Sequence, residues 1–326
     1  MKKILNTLII LLIITFLTGC NKNVTEEDFI KTISNLDSYS LEGTMYSIFP
    51  TGEKESKVVV NYTKPSLYYV EITNPNTNKT QMMIKNNEGV HIIIPSIKKT
   101  FRVESSWPLN STYPYILESL SKELINNDKV VKTKENDKTI FEVPIQLFDD
   151  EYTELLKIIL NKEGNLEEVL IYDKDQKLLT RFVVTKFEKN ISINNDIYKV
   201  QETLSYIETT VIPDEFDRAI SYPTYFLEGT YKISEVIRNL NDKTYAVISY
   251  GGSDYYTIIE QYVDENTILP TFYEGNLFLY GGTISVVADN YILFYDNGIE
   301  YKVASDTVST LELIKVGESL TVVSEK

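Results

Sequence analysis

Cysteine and histidine are almost missing from this chain, which has one of each. With Cys20 alone no intramolecular disulfide can form, so the exported domains must be held by their apolar cores. With His91 alone no zinc site of His and Cys ligands can be assembled. A Ser-His-Asp triad would have to be built on that one side chain, and no G-x-S-x-G elbow accompanies it. Walker A and G-x-G-x-x-G sequences are lacking, as is a D-x-[DN]-x-[DN]-G calcium loop, so no cofactor and no metal is expected. Positive charge is short as well: 32 Lys and Arg stand against 47 Asp and Glu, for a net charge of −15. That balance argues against a nucleic-acid partner and against lying flat on anionic lipid.

One long apolar run is present, and it is at the start. Met1-Lys2-Lys3 precedes a mostly apolar stretch from Ile4 to Leu17, then Thr18-Gly19 and Cys20. The stretch is short of the roughly 20 residues that a helix needs to span a bilayer, and its order is that of a secretory signal. Leu17-Thr18-Gly19-Cys20 reads as a lipobox: a peptidase needs a small residue before the cut, and the thiol takes diacylglycerol through a thioether. Two acyl chains hold where one is marginal, since each buried methylene contributes about 0.8 kcal/mol. Residues 1–19 are therefore read as signal peptide and Cys20 as the acylated mature N-terminus, on the outer face of the cell membrane or of a forespore membrane.

The hydrophobic share of 43% is that of a globular protein, and about 300 mature residues suffice for two cores. Thr25-Glu26-Glu27-Asp28 resembles a capping box opening a short amphipathic helix with Phe29, Ile30, Ile33 and Leu36. From Ser40 to Glu104 short alternating runs are separated by turn residues, the pattern of an antiparallel sheet. Val58, Val60, Tyr68, Val70, Ile72, Met82, Ile84, Val90, Ile92, Ile94, Phe101 and Val103 are expected on one side of it. His91 falls on the opposite face from Val90 and Ile92, as a half-exposed strand residue. After Trp107-Pro108 a second helix carries Ile116, Leu117, Leu120 and Leu124, with Pro114 in its first turn and Asn126-Asn127 at its end. Strands resume at 130–133, 139–143, 156–160, 166–172 and 178–187.

Between about Ile191 and Ser221 the pattern weakens, which places a domain boundary there. With few apolar residues in that stretch, the two parts are expected to fold separately. The second part has runs at 243–250, 255–262, 282–288, 291–295 and 299–304, a hairpin at Asn297-Gly298, and a last helix capped by Asp306. Most of the 24 tyrosines read as ordinary sheet residues.

Helix, sheet, Trp-Pro loop, helix and more sheet behind a lipobox resemble the lipoprotein-carrier superfamily of LolA, LolB and RseB. The run from Gln81 to Val90, then Pro95, Lys99, Phe101 and Ser106-Trp107-Pro108, resembles a sporulation-associated branch that includes YdcC-like lipoproteins and the germination lipoprotein GerS. Tyr222-Pro223-Thr224-Tyr225 with Gly229 resembles the start of the second domain of YdcC-like members. The resemblance implies a mainly β fold with α (α+β): an incomplete antiparallel β-barrel covered by helices over residues 20–205, plus a smaller C-terminal α+β domain over 215–326. It also implies an apolar cavity that takes acyl chains in carriers, and, from GerS, a cell-wall amidase as a partner.

The leading reading is a non-catalytic lipoprotein of a spore-forming cell, binding a protein partner or lipid-like ligand in the sporulation or germination envelope. The second is a lipid or lipoprotein carrier or envelope sensor. The third is a cell-wall enzyme using paired carboxylates, against which the acids of 148–151 and Glu167-Glu168 read as solvated turns and faces. For the apolar face two alternatives stand open. It is either an ordinary core filled by Phe29, Ile33 and the second helix, or a pocket for an acyl chain or a partner's side chain. Cys20→Ala is expected to release the protein from membranes or leave it unprocessed without unfolding it; unchanged membrane partition with normal processing, read by fractionation and intact mass, would remove the lipoprotein reading.

Overall fold

The computed structural model describes residues 24–109, 111–147, 154–200, 220–240, 243–263, 272–280 and 282–322. Helix α1 (Glu26–Ser34) opens as the sequence indicates: Asp28 N donates to Thr25 Oγ1 and Thr25 N to Asp28 Oδ2, both at 3.1 Å, completing a capping box. Strands β1 (Ser38–Phe49), β2 (Gly52–Thr63), β3 (Leu67–Thr73), β4 (Thr80–Asn86), β5 (Gly89–Ile94) and β6 (Lys99–Glu104) follow as a meander. After helix α2 (Leu117–Asn126) come β7 (Val131–Glu135), β8 (Lys138–Ile145), β9 (Glu154–Leu160), β10 (Leu166–Tyr172) and β11 (Leu178–Lys189). Pairing of β1 with both β2 and β11 joins the two meanders into one sheet, to which a strand of the C-terminal part adds beside β6 as the twelfth, and the sheet does not close on itself. At the β1 bulge Gly43 has no room for a side chain, because a Cβ would stand 2.5 Å from the Phe182 ring.

The C-terminal part contains β12 (Ser221–Pro223), β13 (Thr230–Leu240), β14 (Lys243–Gly252), β15 (Tyr256–Tyr262), β16 (Phe272–Glu274), β17 (Asn276–Tyr280), β18 (Thr283–Ala288), β19 (Tyr291–Asp296), β20 (Ile299–Ala304), helix α3 (Thr310–Glu318) and β21 (Leu320–Val322). Seven of these form a second sheet in the order β13-β14-β15-β20-β19-β18-β17. Asn297 and Gly298 both take positive φ in the β19–β20 turn, as the hairpin reading requires. Two local expectations change. Pro114 lies before α2, whose N-cap is Ile116, and α3 is capped by Ser309 rather than Asp306. Asp306 is bound instead by the Asn290 side chain.

The two sheets share a core. Leu277, Leu279, Ile284, Val286, Leu293 and Tyr295 of the second sheet belong to the same buried cluster as Val60, Val70 and Phe101 of the first. The other face of the second sheet packs on Leu313, Ile314 and Val316 of α3. The join is also polar and main-chain. β16 pairs in parallel with β6, the Tyr113 hydroxyl donates to Leu277 O at 2.6 Å, and Gln81 takes Ile284 N and gives to Tyr295 O. The contact described between the parts is thus made by the sheets themselves; of the weakly patterned stretch, 201–219 lie outside the described residues. Leu277→Ala, at a fully covered position, is expected to cost about 2–5 kcal/mol and to shift one cooperative transition of the whole chain; calorimetry showing two transitions with only one displaced would mean that the sheets fold separately.

Candidate functional site

The apolar face predicted from the first sheet exists, with two corrections. Val58, Val60, Tyr68, Val70, Ile72, Val90, Ile92, Ile94, Phe101 and Val103 share one buried cluster. Met82 and Ile84 do not: β4 is turned so that Met83 faces the core, while Met82 and Ile84 pack with Ile93 on the opposite side. Met82-Met83-Ile84 is apolar at every position, so burial preference does not set its phase. The two-residue turn that pairs Asn86 with Gly89 does. His91 shares that outer face and is buried rather than half-exposed, 9% accessible, because the chain after β11 crosses there and brings Val200. Burial holds its pKa below the usual histidine value, and Arg102 adds to the effect.

The core face is covered from two directions. Helices α1 and α2 lie over the end carrying Tyr39, Tyr62 and Tyr68, and the second sheet lies over the rest. Val60 and Val70 retain no exposed surface. Near α2 the filling is aromatic, with ring centroids 5.1 Å apart for Tyr39 and Tyr62, 4.9 Å for Tyr62 and Tyr68, and 5.7 Å for Tyr68 and Trp107. Into this cluster the first turn of α2 puts Glu118, whose Oε2 accepts from the Tyr39 hydroxyl at 2.9 Å while Oε1 is buried without a partner. Burial raises the Glu118 carboxyl, and the Tyr39 and Tyr68 hydroxyls that donate to it pull it back. Those tyrosines are themselves pushed above their usual value, so near neutrality their hydroxyls keep their protons.

What remains open is an edge. The first sheet ends at β7, whose Lys132, Lys134 and Glu135 discourage further pairing. The second ends at β13, eleven residues long, hydrogen-bonded on one side to β14 and on the other to nothing among the described residues. Tyr231, Ile233, Val236 and Ile237 are 65, 54, 39 and 52% exposed along it. Glu235 is occupied, taking Lys232 Nζ of the same strand at 2.6 Å and the Tyr222 hydroxyl of β12 at 2.9 Å. Sequence reading passed over β13. Its bulge at Ile233, between Lys232 and Ser234, breaks the two-residue period that would have marked it. Cys20 lies outside the described residues, and among those residues no cluster of His, Cys, Asp or Glu could hold a metal.

The sequence profile of the family described as "Sporulation protein YdcC-like" matches residues 1–198. The chain belongs to that family. It is 26% identical to the sporulation protein YdcC of Bacillus subtilis (strain 168) over 336 residues, covering 98% of each chain, so the relative also spans the second sheet. Among solved structures it is similar to MucB in the MucA/MucB complex of Pseudomonas aeruginosa, with a TM-score of 0.35, 12% identity, and coverage of 91% of this chain and 100% of that one. It is also similar to a putative outer membrane lipoprotein-sorting protein domain from Vibrio parahaemolyticus, with a TM-score of 0.31, 11% identity, and coverage of 55% of this chain and 99% of that one.

In this YdcC-like chain two buried carboxyls hold the C-terminal part in place. Glu318, at the end of α3, meets Lys54 of β2 at 2.6 Å, and the same ammonium donates to Glu318 O at 3.0 Å. Burial still pushes Glu318 up to about 7, against the pull of Lys54. Glu260 of β15 has no exposed surface and accepts from Ser221 N at 3.0 and 3.2 Å, and its burial likewise raises it to about 7. A carboxyl with a raised folded pKa favours the fold below its unfolded value near 4.5, and that contribution is lost as the pH climbs through about 7. Stability is therefore expected to fall between about pH 4.5 and 7 and to level off above, and Glu260→Gln, which keeps an acceptor for Ser221 N, to recover on the order of 2–3 kcal/mol at pH 8 and little at pH 5. Denaturant melts of both proteins across that range check this; an equal effect of the substitution at both pH values would refute it.

Proposed function

We propose that this YdcC-like protein is a non-catalytic envelope lipoprotein, anchored through Cys20, which holds an extended segment of a partner protein along β13 during sporulation or germination. The observation that carries the reading is the contrast between two sheet edges: charge guards β7, while β13 presents a main-chain edge that pairs with nothing among the described residues and is studded with apolar side chains. A segment added there would gain about 1 kcal/mol net per main-chain hydrogen bond, with alternate side chains meeting Val236 and Ile237. Family membership and the curated sporulation relative support the process; a cell-wall amidase is the partner class that fits the resemblance to GerS.

The filled core weighs against carriage of an acyl chain on the ten residues that line the concave face, since the second sheet occupies the place such a chain would take. Glu118 weighs against paired-carboxylate hydrolysis, because its polar neighbours are tyrosines that hold their protons. A photo-crosslinking residue placed at Val236 in sporulating cells is expected to capture a protein that the same residue at Lys132 does not. Val236→Lys with Ile237→Lys should abolish the capture while changing stability by no more than about 0.5 kcal/mol, both sites being exposed. Equal capture from both sheet ends, or capture that survives the paired lysines, would rule out β13 as the docking edge.

A further inference from the structure

The buried seat of Val24 fixes which end of the molecule meets the membrane. Val24 packs on the β9–β10 turn: a Cβ on Gly164 would lie 3.3 Å from its Cγ2. Only residues 21–23 separate it from Cys20. Four steps at about 3.5 Å each give a reach of at most about 14 Å. The same rim of the first sheet carries the ends of β1, β2 and β11, tied by Asn190 N to Ser38 O at 2.7 Å, Lys64 N to Asp37 O at 2.8 Å and Asp37 N to Asn190 Oδ1 at 2.9 Å.

While β16 meets the end of β6 at Glu104 on the Val24 side, much of the C-terminal part lies at the other rim. Lys54 reaches Glu318 there, Lys79 reaches Asp296 at 3.4 Å, and the Asp173–Asp175 turn faces Asp254 and Ser309 across a cleft of about 380 Å³. β1 crosses from rim to rim in twelve residues, about 40 Å at 3.3 Å per residue. Among the cations of the Val24 rim, Lys64 pairs with Asp37, Lys162 with Glu163, Lys138 with Glu167 and Lys186 with Glu188, while Lys189 binds the neutral Asn165. Acids on the far rim stand several Debye lengths of about 10 Å away.

The geometry points to a fixed orientation: the rim of the 161–164 turn and Lys64 rests on phospholipid headgroups, and the opposite rim, where Asp254 and Ser309 meet the Asp173–Asp175 turn, is held outward, about 40 Å from the lipid. This rests on acylation of Cys20. Because that cysteine is consumed by lipid, an introduced one is unique for labelling. Full-length acylated Lys162→Cys and Tyr255→Cys proteins, both at exposed positions, are labelled with a fluorophore and placed in vesicles of phosphatidylethanolamine and phosphatidylglycerol bearing a headgroup spin label. Loss of fluorescence is expected at 162 and none at 255. Equal quenching at the two sites, or quenching at 255 alone, overturns the orientation and leaves the anchor standing. Protein that stays in solution instead of floating with the vesicles overturns the anchor, and the orientation with it.

Discussion

A sheet with one wide apolar face has to be covered, and the rest of this structure follows from how that is done. Twelve strands about 4.8 Å apart would span more than 50 Å if flat, whereas helices of nine and ten residues are only about 15 Å long. Even after the sheet curves, α1 and α2 leave most of it bare. At about 25 cal/mol per Å² of apolar surface removed from water, bare strands would forfeit much of the stability of a chain with no disulfide to compensate. A second sheet meets the demand. It lays Leu277, Leu279, Ile284 and Val286 on the first and stacks Tyr295 on Phe101 with ring centroids 4.9 Å apart.

Covering one sheet with another leaves polar groups at the join, and each important one is answered. Gln81 lies on the core face of β4 where an apolar residue would be expected, and it replaces lost strand pairing by bonding the second sheet's backbone twice. Lys54 does the same for the carbonyl end of α3, where a cation is favoured by the helix dipole. Glu260 pins the chain as it enters the C-terminal part at Ser221. These contacts fix the second sheet relative to the first.

Much of this was legible in the sequence, because local chemistry decides it. The capping box at Thr25, the Asn297-Gly298 hairpin, β10 and β20 to the residue, and the shared face of Val58, Val60, Val70, Ile92 and Phe101 follow from turn residues and a two-residue period. The failures occur where local chemistry is silent. Met82 and Ile84 sit in a strand apolar on both sides, and β13 hides behind a bulge. His91 was read as half-exposed since nothing near it in sequence covers it; the covering Val200 comes from more than a hundred residues away.

For function the division is similar. The lipobox reading at Cys20, the search for ligand motifs and the family likeness all rest on contiguous residues, and sequence alone supplied them. Whether the broad apolar face is a cavity or a core depends on what lies over it, and those atoms belong to strands some two hundred residues downstream whose own pattern says only that one face is buried. Tertiary structure decided that the second sheet lies over the face, that Glu118 lies among tyrosines, and that β13 is an edge without a pairing partner among the described residues, because burial is a property of the assembled sheets and is written in neither of them alone.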